Sequence, residues 1–245
     1  MHTRSARETS TVPVDGFQLG EQLAVLAREL HALPTPQDVL DRVVTAALTL
    51  VPGAREATVS RVRRRRITTV AASSPGAAGF DALEQELGQG PCLDALLEER
   101  TVRVGDLGTQ GRWPLLAGRA TEVGVRSALC VRLFVDADGE SGPGDLGALN
   151  LLSPEVAAFD AQAEFVAGLL AAHAAVAVAD TEQLANVRTA LDSRDLIGQA
   201  KGVLMTRHRI TADAAFDLLT RHSQETNRKL RDVAADVAAT GHLEA

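Results

Sequence analysis

No proline follows Pro154 in this chain, and from Phe159 onward apolar residues recur at helical spacing through Leu170, Ala177, Leu184 and Leu191. Proline is the strongest helix breaker, so its absence over so long a stretch permits long helices. The middle of the chain follows a different rule. The segment ATVSRVR after Gly53 alternates with period two, and ITTVAAS follows the Arg63 to Arg66 run, which predicts a hairpin with a charged turn. SALCVRLFV (Ser127 to Val135) and GALNLLS (Gly147 to Ser153) predict two antiparallel strands joined by the Gly-, Pro- and Asp-rich loop DADGESGPGD. Leu19 to Leu33 and Pro36 to Leu50 have apolar residues three and four apart and predict two amphipathic helices. LGQGPCLDALLEER and RWPLLAGRATEVG each hold a proline near a helix start and predict short helices. The expected class is α+β, an antiparallel sheet flanked by helices and followed by an all-α bundle.

With 245 residues, 45% hydrophobic and 23% charged, the chain suits one or two soluble globular domains. Two cysteines, Cys92 and Cys130, are too few for a disulfide framework or a zinc knuckle and imply a reducing compartment. The start, MHTRSARETSTVPVDG, has no apolar core of the length a secretory signal needs, and residues 1–16 are expected to form a mobile tail. Phe165 to Ala179 is the longest apolar run, 15 residues with His173 inside it. That is short of the roughly 18–20 needed to cross a bilayer, so a cytoplasmic protein without a membrane partner is expected.

The formal charge of −7 has the wrong sign for a chain that coats nucleic acid along its whole length. The charge is unevenly spread. Residues 1–184 carry 16 basic against 24 acidic side chains, residues 185–245 carry nine against eight, and within 194–231 the balance is eight against four. A polyanion partner would therefore meet the helical C-terminal module.

Three helices are predicted there. The first spans Arg194 to His208. Thr211 caps the second, ADAAFDLLTRHSQ, and the third buries Leu230, Val233, Ala234 and Val237 before Gly241 ends it. At 100° per residue Arg194, Lys201 and His208 form one stripe beside the apolar arc of the first helix. Gly198 and Gly202 each weaken a helix by about 1 kcal/mol relative to alanine. A close approach by another element would explain them, with packing of a helix the simpler account and a nucleic-acid backbone the other. Asn227, Arg228, Lys229 and Arg231 cluster where the second helix gives way to the third. The cations are candidates for phosphate, while the amides of Gln199 and Asn227 suit base edges in unpaired loops. Pairing of Arg228 and Arg231 with Asp232 and its neighbours is the structural alternative.

Catalytic and metal chemistry lack a foothold. The histidines at 2, 31, 173, 208, 222 and 242 form no HExxH-like pair, GQG at 88–90 falls short of a phosphate-cradling loop, and no lysine precedes Lys201 to serve a phosphoacceptor receiver. Cys92 lies at a helix start, where a thiolate is favoured, but burial as a small apolar residue is the better expectation. Trp113 is expected to plug the core. No catalytic residue, metal or cofactor is expected.

Arg194 to Gly241, with IGQAKGVLM, then AF and LL, Ser223 and NRKLRDVA in order, resembles an ANTAR domain. That resemblance implies binding of RNA stem-loops that compete with a transcription terminator, usually by a dimer. GQGPCLDAL (Gly88 to Leu96), Asp106, RWP (Arg112 to Pro114), GVRSALCVRL (Gly124 to Leu133) and GALNLLSPEVAAFD (Gly147 to Asp160) resemble a GAF domain. It implies a six-stranded antiparallel sensor sheet flanked by helices, of a class that binds diverse ligands, with an apolar pocket that is either empty or holds a small-molecule regulator. The organisation that follows is a tail at 1–16, a GAF sensor at 17–180, a helical linker or coiled coil at 181–193, and an ANTAR module at 194–245. Leu170, Ala177, Leu184 and Leu191, seven apart, form a candidate homodimer seam. Expected function is antitermination regulation through RNA. The alternatives are a sensor or scaffold acting through protein partners, and a helix-turn-helix DNA binder.

Overall fold

The computed structural model describes residues 16–63, 66–97, 100–135 and 144–243. The expected tail, except Gly16, and most of the loop after Val135 lie outside the described residues, as do Arg64 and Arg65 of the charged turn. The chain divides into two compact units, Met1–Thr181 and Glu182–Ala245.

In the first unit, α1 (Gly16–Ala32) and α2 (Pro36–Leu50) precede β1 (Glu56–Arg63) and β2 (Arg66–Ala72). Then come α3 (Pro75–Leu87), α4 (Pro91–Leu97), β3 (Thr101–Val104), α5 (Pro114–Glu122), β4 (Ser127–Val135) and β5 (Gly144–Ser153). Capping chemistry sets the starts of α2 and α3. Thr35 Oγ1 accepts from the Asp38 amide at 3.1 Å and Ser74 Oγ from the Ala77 amide at 3.1 Å, each followed by proline in the first turn.

The strand order is β2-β1-β5-β4-β3, with every neighbouring pair antiparallel. Five strands are thus present among the described residues, where the resemblance implies six. Strand alternation feeds two separate cores. Leu129, Val131, Leu133, Leu149 and Leu151 face α1 and α2, while Ala128, Cys130, Ala148 and Leu152 face the cluster built with α3, α4 and α5. Helices therefore cover both sides of the sheet, which explains why the central strands β4 and β5 bury apolar residues on both faces.

Helix α6 (Ala161–His208) contributes to both units. The expected linker at 181–193 and the expected first helix of the last module are one uninterrupted helix, since no proline or glycine lies between Gly168 and Gly198 to end it. An 18-residue window of α6 passes the length and composition test for a membrane span. Val166, Leu170, Ala171, Ala174 and Val178 of this helix are buried in the core with Leu129 and Leu149, which accounts for its apolar character.

This packing corrects the single dimer seam. Leu170 is fully buried and Ala177 half-buried against the core of the first unit, whereas Leu184 and Leu191, with Val187 between them, are about half-exposed at 55%, 50% and 51%. The seven-residue repeat serves two different environments.

The second unit adds α7 (Ala212–Thr226) and α8 (Leu230–Thr240) to the end of α6. Its core is Ala200, Leu204, Ala215, Leu219, Val233, Ala234 and Val237, small and aliphatic throughout.

Candidate nucleic-acid interface

Local chemistry sets both ends of α7. Thr211 Oγ1 accepts from the Ala214 amide at 3.3 Å, as its position before the helix predicts. At the other end Asn227 takes the left-handed conformation, φ 52° and ψ 33°. Its amide donates to Gln224 O at 3.4 Å, and the Arg228 amide donates to Ser223 O at 3.1 Å. This is the two-bond closure of a Schellman motif with Asn in the place usually held by glycine. Asn227 thus has a backbone role that its type and position explain. Helix α8 ends at Gly241, φ 83°, whose carbonyl oxygen accepts from Arg207 Nη1 at 2.9 Å.

The seven candidate residues separate into three places. Arg194 and Lys201 share one side of α6, and Lys201 is half-buried with its Nζ 5.7 Å from the centre of the Phe216 ring on α7. Gln199 lies about 160° round the helix from Lys201. It borders a shallow groove with Gly202, Val203, Thr206, Arg207, Ala238 and Gly241, so α6 does not bring it together with the two cations. Asn227, Arg228, Lys229 and Arg231 are exposed at the turn between α7 and α8.

Not all the cations are unengaged. Arg228 pairs with Asp236, and Arg231 Nε lies 3.2 Å from Asp232 Oδ1, so the structural alternative describes both. Exposed pairs of this kind contribute about 0–1 kcal/mol. The side chains of Arg194 and Lys229 are exposed and make no hydrogen bond or ion pair among the described residues. Arg207, beside the groove, is a cation outside the sequence-derived set, as are the exposed Arg209 and Arg221.

Gly198 and Gly202 overturn the simpler account of their presence. A Cβ at either would meet no atom within 4 Å outside its own helix backbone, so among the described residues no helix packs against them. The close approach that glycine permits is unused within the chain.

The first unit holds a buried polar cluster where the GQGPCLDAL segment meets the sheet. Asp81 on α3 accepts from Ser60 Oγ, from Thr69 Oγ1 at 2.8 Å and from Asn150 Nδ2 at 3.2 Å. Glu84 Oε1 accepts from the Cys92 amide at 3.0 Å, and Gly90, φ 153°, passes so close that any Cβ there would strike Glu84. Burial raises the pKa of Asp81, against the pull of its hydroxyl and amide donors. Burial, reinforced by Asp81, lifts Glu84 well above the ordinary carboxylate range. The Cys92 thiol is also pushed up by burial and then by Glu84, so a thiolate is disfavoured and the apolar reading of Cys92 holds.

Trp113 is buried, its Nε1 donating to Asp94 Oδ2 at 2.9 Å while Arg112 pairs with the same oxygen at 2.7 Å. Asp106 is held below the usual carboxylate range by its bond from Arg126. Cys92, Asp106 and Trp113 lie in the segments that carry the resemblance, whereas Asp81 and Glu84 lie on α3, outside those segments.

Comparison with known proteins agrees with this architecture. The fold is similar to the free methionine-R-sulfoxide reductase of Neisseria meningitidis solved with its substrate, at 19% identity over 69% of this chain and 92% of that one, TM-score 0.52. It is also similar to the GAF domain of a phosphoenolpyruvate-protein phosphotransferase from Coxiella burnetii, at 17% identity over 69% of this chain and 98% of that one, TM-score 0.51. The Stigmatella aurantiaca phytochrome photosensory core module matches at 12% identity over 89% of this chain and 46% of its own, TM-score 0.58. At such identities the likeness shows the fold alone. No curated protein matches the chain. The family model of the GAF domain matches residues 34–179 and that of the ANTAR domain residues 185–237. The first match spans more than half of the sequence, and the chain belongs to the GAF domain family, with a C-terminal ANTAR domain, the RNA-binding module of antitermination regulators, behind its sensor domain.

Proposed function

We propose that the protein is a non-enzymatic, cytoplasmic antitermination regulator that binds RNA stem-loops as a homodimer, and that its GAF domain controls the exposure or pairing of its ANTAR domains. One observation carries the RNA reading. Arg194 and Lys229 stand exposed and unpaired in the second unit of a chain whose net charge is −7. Unpaired cations on an otherwise acidic protein are placed for phosphate. Among Arg194, Gln199, Lys201, Asn227, Arg228, Lys229 and Arg231, we assign the phosphate contacts first to Arg194, Lys201 and Lys229, and base reading to Gln199.

The dimer contact is the half-exposed stripe Leu184, Val187 and Leu191. The small molecule that GAF domains often take would sit against the Asp81, Glu84 and Asn150 cluster, where Glu84 Oε2 and Asn150 Oδ1 are buried polar atoms without a hydrogen-bond partner among the described residues.

Filter binding of the full chain to RNA carrying paired stem-loops, at two salt concentrations and beside duplex DNA, tests the reading. Tight, steeply salt-dependent binding to the RNA supports it. Equal affinity for the DNA would move the function to helix-turn-helix recognition, and no binding to either would favour a protein-partner scaffold.

A further inference from the structure

The second unit possesses one aromatic ring of the Phe, Tyr or Trp kind, Phe216, and leaves it outside its core. That core is assembled from alanine, leucine and valine, although Ala215 and Leu219 on the same helix are fully buried within it. Phe216 remains 39% exposed. A small bundle has little apolar surface to bury, and an aromatic ring is its largest single contribution, so a ring held at the surface is not there to stabilise the bundle. The ring also has company: Lys201 Nζ lies over it, 5.7 Å from its centre. Lys201 follows Gly198 on α6 by three residues, and the space in front of Gly198 is open. Asp213, three residues before Phe216, shares its face of α7 and Asp217 follows it directly, so a polyanion would approach from the α6 side.

We infer that Phe216 is a stacking platform for one unpaired base of the bound RNA, with Lys201 holding the phosphate of that same nucleotide. The inference rests on the RNA reading above and deepens it. Duplex RNA offers no free base face, whereas the unpaired bases of a hairpin loop stack on aromatic side chains and offer a phosphate to a neighbouring cation. The platform therefore selects loops over stems. It sets which loop position is held without requiring a particular base, because every base has a π-face.

The test is binding of the full chain to a hairpin RNA labelled with 2-aminopurine at each unpaired position in turn. Wild type should change the fluorescence at one position, Phe216→Trp should retain both that signal and the affinity, and Phe216→Leu should lose the signal and weaken binding roughly 5- to 100-fold. Because the ring lies outside the core, the melting temperature of Phe216→Leu should match wild type. Tight binding by wild type with Phe216→Leu equal to it in affinity and fluorescence would overturn the platform and leave the RNA reading intact. Absence of RNA binding by wild type would overturn both. A lower mass for Phe216→Leu in light scattering would assign the ring to contact between copies, and so would also overturn it.

Discussion

The Ser223 hydroxyl donates to the carbonyl oxygen of Arg228 at 2.6 Å, while the Arg228 amide donates back to Ser223 O at 3.1 Å. These reciprocal bonds pin the turn that carries Arg228 and Lys229, which makes Ser223 a positioning residue. Ser223→Ala removes one net hydrogen bond, a loss of about 0.5–1.5 kcal/mol. Faster hydrogen exchange at the Arg228 amide is the expected readout, with weaker RNA binding and no change in the first unit.

Asn227 combines a cap with a candidate base contact, and two substitutions separate them. Glycine accepts the left-handed conformation, so Asn227→Gly should preserve stability within about 0.5 kcal/mol. Asn227→Val forces a β-branched residue into that region and should destabilise the second unit by about 1–2 kcal/mol. If the amide reads RNA, Asn227→Gly loses discrimination between loop sequences at unchanged melting temperature. Competition binding with loop variants measures this.

Much of this was legible in the chain. Thr211, Gly241 and the proline-led helices carry start and stop signals in their own residue types, and the apolar runs of β4 and β5 are set off by the Gly-, Pro- and Asp-rich segment between them. Helix α3 is not legible because Ser74 and Pro75 open a Gly- and Ala-rich stretch with little amphipathic contrast. The four-residue strand β3 is too short for periodicity to register. Partnership was harder. Leu170 and Leu184 fall on one sequence repeat, yet only the sheet decides that the first is covered and the second is free. Likewise, nothing in the letters says that Gly198 meets no neighbour or that Arg228 finds Asp236.

The buried acids give the first unit a pH dependence of definite sign. Glu84 and Asp81 have folded pKa values raised above those of the unfolded chain. Below the unfolded value, near 4.3 for Glu, both states hold the proton and nothing is lost. As pH rises past it, the unfolded state releases protons that the folded state retains, and stability falls until the folded pKa is reached. Glu84→Gln keeps the acceptor for the Cys92 amide and removes the titration. The variant should therefore gain stability relative to wild type between pH 5 and pH 8. Denaturant midpoints at the two pH values read this, and a difference independent of pH would contradict the burial of an ionisable Glu84.

Leu184 and Leu191 distinguish a dimer contact from core packing. Arginine at both should leave the helices formed, because neither residue is buried, and should yield a monomer. Arginine at Leu170, by contrast, should unfold the first unit, since Leu170 is fully enclosed. Light scattering at tens of micromolar reads the first outcome, and a wild-type monomer there would remove the proposed stripe.

The central claim, that the second unit meets RNA through Arg194, Lys201 and Lys229, is tested most directly by the salt dependence of hairpin binding. Each cation that meets a phosphate contributes roughly one unit to the slope of log affinity against log salt. The variant combining Arg194→Ala, Lys201→Ala and Lys229→Ala should keep the wild-type melting temperature, bind the hairpin weakly and lose about three units of slope. A variant that stays folded and binds with wild-type affinity and slope would contradict the account.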